Sequence, residues 1–127
     1  MKIKEQLFSA HRDKADVSSV LEVPQGATEL LVLAHGAGAG MRHRNMQRIA
    51  EAMHREQIAT FRYQFPFGER GGGRDSLEVT LSTVQRAVEL AGLLEPKLPV
   101  LAGGHSFGGR MTSIAASNGQ LNNIKGY

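Results

Sequence analysis

Leu101-Ala102-Gly103-Gly104-His105-Ser106-Phe107-Gly108-Gly109-Arg110 is the stretch whose reading decides the fold. An apolar run, Pro99 to Ala102, leads into it. A helical pattern leaves it, with Phe107, Met111, Ile114 and Ala115 on one face and an end near Gly119. Between them Gly104, His105, Ser106, Phe107 and Gly108 read G-x-S-x-G. That is the pattern of a strand turning sharply into a helix with a serine hydroxyl at the tip. The two flanking glycines are needed because a side chain in so tight a turn collides with the strand or the helix. Taken alone, the same five residues also describe an ordinary Gly/Ser turn, so the flanking chain must decide.

Working outward, the chain alternates. Val17 to Val23 reads as a strand closed by the turn Pro24-Gln25-Gly26. Glu29 to Ala34, ELLVLA, is an apolar run suited to a strand buried on both faces, and it runs into His35-Gly36-Ala37-Gly38-Ala39-Gly40. A helix follows, with Asn45 as the expected N-cap and Met46, Ile49, Ala50 and Met53 on its apolar face. Ile58 to Phe61 is a short buried strand, and Arg62 to Arg74, with Pro66 and three consecutive glycines, reads as a loop. Asp75 and Glu78 form a D-x-x-E helix start close to a capping box. Leu77, Leu81, Val84, Val88 and Ala91 then line a long helix that Pro96 closes. Ile124 to Tyr127 resembles the opening of one more strand.

Strands and helices alternating at this spacing predict an α/β fold: one domain over residues 1–127, a mostly parallel sheet with helices on both faces. In such sheets the loops at the carboxyl ends of the strands carry function. Both glycine-rich loops follow strands, so both fall on that edge. There Ser106 could attack an acyl carbon. The oxyanion would be met by the N–H of Phe107 and by that of Ala37 (or Gly38) in the earlier loop.

Composition excludes several other classes. The 127 residues suffice for one modest core, and 41% hydrophobic with 21% charged content is that of an ordinary globular chain. Without cysteine there is no disulfide scaffold, thiolate metal site or cysteine nucleophile. No signal-peptide pattern and no run of membrane-spanning length is visible, so a cytoplasmic location and no membrane partner are expected. The net charge of +3 is spread over Arg42, His43, Arg44, Arg48, Arg55, Arg62, Arg70 and Arg74 without interleaved aromatics. A solvated basic face, not a nucleic-acid site, is expected. A dinucleotide fingerprint fails because its third glycine falls on Met41, and no P-loop exists. No cofactor is expected. His11 and His54 read as exposed, His35 as fixing its loop by hydrogen bonds, and His105 as pointing away from Ser106; none has metal-ligand spacing, so no metal is expected.

With these residues in view, the sequence resembles the α/β-hydrolase superfamily in its dienelactone-hydrolase-like part. It is most similar to the family joining the testis-expressed Tex-type protein and a subunit of the nonspecific-lethal chromatin complex. Leu31 to His43 (LVLAHGAGAGMRH), Thr60 to Phe67 (TFRYQFPF) and Ala102 to Ser113 (AGGHSFGGRMTS) carry the resemblance. It implies a three-layer αβα sandwich, Ser106 as nucleophile, and an oxyanion site at Ala37 and Phe107. His35, Gly36, Gly38, Gly104, His105 and Gly108 would support elbow and loop. His105 stands where relatives often carry Lys.

In this fold the triad order is Ser, then Asp or Glu, then His. None of the 21 residues after Ser106 is Asp, Glu or His. A serine hydroxyl without a base is a poor nucleophile. The expectations are an incomplete, C-terminally truncated α/β-hydrolase fold, inactive alone, prone to self-association through an unpaired sheet edge. The substrate expected is a small acyl compound such as an ester. The alternative is a non-catalytic hydrolase-fold module for protein interaction.

Overall fold

A computed structural model describes all 127 residues, Met1–Tyr127. Ten elements follow in order: β1 (Lys2–Phe8), β2 (Val17–Val23), β3 (Glu29–Ala34), α1 (Arg44–Arg55), β4 (Ile58–Tyr63), α2 (Pro66–Arg70), α3 (Leu77–Leu94), β5 (Val100–Gly104), α4 (Phe107–Ser117) and β6 (Ile124–Gly126). The six strands form one sheet in the order β1-β2-β4-β3-β5-β6. β1, β2 and β4 pair antiparallel, whereas β4, β3, β5 and β6 run parallel.

This order positions the site. From β3 the chain crosses through α1 to β4 on one side, and from β4 it crosses back through α3 to β5 on the other. Right-handed crossovers in opposite directions put their helices on opposite faces. α1 accordingly packs on β4, whereas α3 and α4 pack on each other and on β3 and β5. The loops leaving β3 and β5 diverge to opposite faces at the carboxyl end of the sheet. His35–Gly40 and Gly104–Gly108 are those two loops.

The main core lies on the α3/α4 face. Leu30, Val32 and Ala34 of β3 meet Phe61 and Tyr63 of β4, Ala102 of β5, Val84 and Ala91 of α3, and Met111 and Ala115 of α4 there. The opposite face is smaller and more polar: Leu33, Met41, Met46 and Ala50 are buried around Thr60 and Arg62. Arg62 belongs to no solvated basic face. It is only 6% exposed, and its guanidinium donates to Glu22 at 2.6 Å and to the Met41 carbonyl at 3.1 Å. A buried guanidinium is tolerable only when so paired.

Several local expectations are corrected. Lys2–Phe8 forms an edge strand whose lysines and glutamate stay in water, which hides its pattern. The N-cap of α1 is His43, whose Nδ1 accepts from the Asn45 N–H at 3.1 Å, not Asn45 itself. Within the expected loop, β4 extends to Tyr63 and Pro66–Arg70 forms a helical turn with proline at its first position. Ser76, not Asp75, caps α3: its hydroxyl accepts from the Val79 N–H at 3.2 Å. Asp75 instead accepts from the Phe67 N–H at 2.8 Å and pairs with Arg70, tying α2 to the start of α3. Replacing Ser76 by Ala should lower stability by about 1 kcal/mol, read as a shift of the urea midpoint at constant slope. No shift would mean that the start of α3 is held by the Asp75 contacts alone.

Candidate active site

β5 delivers Gly104, and α4 begins at Phe107, so only His105 and Ser106 make the turn between strand and helix. Ser106 has φ 53° and ψ −113°, a left-handed backbone that a serine adopts only when its surroundings enforce it. Those surroundings are backbone against backbone. A Cβ on Gly104 would lie 2.7 Å from the Ala34 carbonyl oxygen and from the Gly109 nitrogen. One on Gly108 would lie 2.5 Å from the His35 carbonyl oxygen and 2.6 Å from Ala34. Gly109, which the motif does not include, has the same constraint, with the Gly104 oxygen 2.8 Å away. The helix therefore starts pressed against the end of β3, and the Ser106 side chain is left exposed at the tip.

The loop after β3 meets this turn. A Cβ at Gly36 would lie 3.9 Å from the Ser106 Cβ and 3.3 Å from the His105 Nδ1. His105 is exposed and its ring lies toward Gly36. The His105 N–H donates to the Ala34 carbonyl at 2.9 Å and joins the turn to β3. Two N–H groups here are uncommitted: Phe107, first in α4, has no intrahelical acceptor, and Ala37 donates to no group of the chain. Gly38 is exposed beside Ala37. An N–H without an acceptor in the chain is free to donate to a ligand oxygen.

His35 fixes the loop. It is fully buried, and the Phe65 N–H donates to its Nε2 at 3.0 Å. Nδ1 must then carry the proton, and it donates to the Gly36 carbonyl at 2.7 Å. Burial pushes its pKa down, and the Gly36 carbonyl opposes this less strongly. A neutral imidazole with both nitrogens engaged cannot serve as the base for Ser106. Gly68 leaves room for it, since a Cβ there would stand 2.8 Å from its Nε2. Gln64 completes the support, its Oε1 accepting from the Met41 N–H at 2.9 Å. Edge-on contacts join His35 to Phe65 and Phe67, and the Phe107 ring meets the same two phenylalanines at 5.6 and 5.8 Å. Both loops thus rest on one aromatic cluster. Gly68, Gln64 and Gly109 carry no motif signal; only the distances between elements reveal them.

The other histidines lie apart. His11 is buried, not exposed: its Nδ1 accepts from the Asp13 N–H and its Nε2 lies 3.3 Å from Glu78. His54 is half-buried rather than exposed and meets the Thr60 hydroxyl at 2.9 Å. No group of three or more acidic or histidine side chains is arranged to hold a metal ion. The largest concavity, about 520 Å³, lies beside Val88, Leu98 and Val100 at the start of β5, the far end of the strand from Ser106.

The sequence of residues 27–127 matches the family described as "Alpha/beta hydrolase domain". The chain belongs to that family. Solved α/β-hydrolase folds agree with it. The dienelactone hydrolase from Anabaena variabilis superposes with a TM-score of 0.74 at 20% identity, covering 93% of this chain and 59% of that one. Est1E from Butyrivibrio proteoclasticus, with ferulic acid bound, gives 0.80 at 21%, covering 94% and 49%. A thermostable carboxyl esterase from Bacillus coagulans gives 0.80 at 16%, covering 99% and 43%. The likeness at these identities is one of fold, and the chain spans about half the length of these structures. No curated protein matches the sequence significantly. No helix of this α/β-hydrolase chain is long and apolar enough to cross a membrane.

Proposed function

We propose that the chain is the nucleophile-bearing part of a serine hydrolase acting on an ester or other small acyl substrate. The observation that carries this reading is the left-handed Ser106 at the tip of the β5–α4 turn, flanked by glycines at which a Cβ would press on backbone atoms. Ser106 Oγ attacks the acyl carbon, and the N–H groups of Phe107 and Ala37 receive the charge on the carbonyl oxygen. The acid and the base have no place among residues 107–127, and His35 is committed elsewhere. The chain alone therefore does not run the full cycle. What it retains is the hydroxyl and the oxyanion donors, which on their own give some rate over water.

The finer likeness to the Tex-type family, a cytoplasmic setting, the absence of nucleic-acid and membrane partners, and self-association at the β6 edge belong to the same proposal. The second reading is a hydrolase-fold module used for protein interaction.

A serine-directed fluorophosphonate separates the two. Slow labelling of the folded chain, lost in Ser106→Ala, is the expected result; labelling no faster than that of the urea-unfolded chain, or labelling that survives the substitution, sinks the hydrolase reading. Stability gives an independent check. Ser106→Gly should stabilise the fold by about 1 kcal/mol, because relief of backbone strain outweighs the added freedom of the unfolded chain. A destabilised Ser106→Gly variant would mean that the backbone at Ser106 stores no strain.

A further inference from the structure

At the end of β5 away from Ser106, the surface carries a hole and a knob side by side. The concavity of about 520 Å³ lies between the C-terminal part of α3 and the residues just before β6. Val88, Leu98 and Val100 line it with apolar surface, Asn122 and Asn123 with polar surface. Gly92 also lines it, and nothing lies within 4 Å of the position its Cβ would take. A glycine inside a helix is less stable than an alanine. No packing within the chain requires it here, so the bare backbone suits a neighbour that approaches from outside. Leu93 stands at the rim of the same concavity and is 78% exposed, the most exposed large apolar side chain of the molecule.

The charges on this face form a symmetric pair. Glu89 precedes Leu93 by four residues, and Lys97 follows it by four. Both are exposed, and neither forms an ion pair within the chain. Glu89 only accepts a hydrogen bond from the Gln85 amide at 3.2 Å. Neighbouring charges are engaged, Glu95 with Lys2 and Lys125 with Glu29.

We propose that this face is an interface between two copies of the chain, related by a two-fold axis beside Leu93. A two-fold contact needs a patch that fits itself, with each residue meeting the same partner in both directions. With the two α3 helices antiparallel, Leu93 of each copy enters the concavity of the other over Gly92. Glu89 of each copy then comes opposite Lys97 of the other. This surface is separate from the free edge of β6, which would join copies by strand pairing and involves neither Leu93 nor the two charges.

Sedimentation velocity of the whole chain tests the proposal. A monomer–dimer equilibrium is expected, with a dissociation constant on the order of 10 μM because one helix face makes a small interface. Leu93→Asp, at an exposed position, should weaken the dimer about a hundredfold and leave the urea midpoint of the monomer unchanged. Gly92→Ala should raise that midpoint yet weaken the dimer about tenfold, opposite signs that a purely structural role does not give. Glu89→Lys or Lys97→Glu alone should weaken it about tenfold, and the two together should restore it, because the pairing is then only reversed. A chain still monomeric at about a hundredfold above the expected dissociation constant overturns the proposal. So does association undiminished in Leu93→Asp, which would place the contact elsewhere, the β6 edge included. A double charge swap that binds no better than the single changes overturns it as well.

Discussion

Gly108→Ala should destabilise the chain by about 3 kcal/mol or more. The added methyl would stand 2.5 Å from the His35 carbonyl oxygen and 2.6 Å from Ala34. These are backbone atoms of Ala34, which ends β3, and of His35 just after it; β3 is paired on both sides by β4 and β5, so no side chain can swing away to make room. The helix must instead lift off the sheet. That uncouples Met111 and Ala115 from the core and breaks the Phe107 contacts with Phe65 and Phe67. Native domains hold only about 5–15 kcal/mol in reserve. Most of the variant should therefore be recovered aggregated, and any soluble fraction should unfold at markedly lower urea. A loss below about 1 kcal/mol would mean that the turn has slack and that the glycines do not enforce the conformation of Ser106. Gly38→Ala is the matched control: nothing lies within 4 Å of its Cβ position, so little change is expected.

The second large effect is at His35. His35→Leu keeps a similar volume but removes a donor and an acceptor at once. The Phe65 N–H is then buried without a partner, and the Gly36 carbonyl keeps only the Ala39 N–H at 3.3 Å. An orphaned buried donor costs about 1–3 kcal/mol. With the lost packing against Gly68, Phe65 and Phe67, we expect about 3 kcal/mol in total. The same residue sets a pH dependence. Unfolded, His35 takes up a proton near its ordinary value of 6.5; folded, burial holds its pKa below that. The unfolded state binds more protons as pH falls through 6.5, so the stability tied to neutral His35 is full above that pH and lost below it. His54, also shifted down by burial, acts in the same direction. Urea midpoints measured from about pH 8 to about pH 5.5 should fall more steeply for the unmodified chain than for His35→Leu. Parallel curves would show that His35 does not contribute to this dependence.

How far the sequence could be read follows from what each feature depends on. β3 and β5 are legible because strands buried on both faces leave unbroken apolar runs, ELLVLA and VLA. The turn at Ser106 is legible because close backbone approach demands glycine on both flanks. β1 escapes notice because Lys2, Lys4 and Glu5 solvate an edge strand and blur its alternation. α2 escapes because a proline and a glycine in five residues signal a loop. Here the proline starts the turn, and the glycine is there for the ring of His35. The burial of Arg62 depends on Glu22, 40 residues earlier, and no local pattern reports it.

The central claim is that the fold presents Ser106, and no other serine, as a nucleophile beside prepared N–H donors. Peptide mass spectrometry after brief exposure of the chain to a fluorophosphonate tests it most directly, with Ser113 and Ser76 as internal references. All three are exposed, and Ser113 lies on the same helix, two turns from the site. The oxyanion donors alone should favour the Ser106 adduct by about a hundredfold over either reference. An adduct spread evenly over the three serines would contradict the claim.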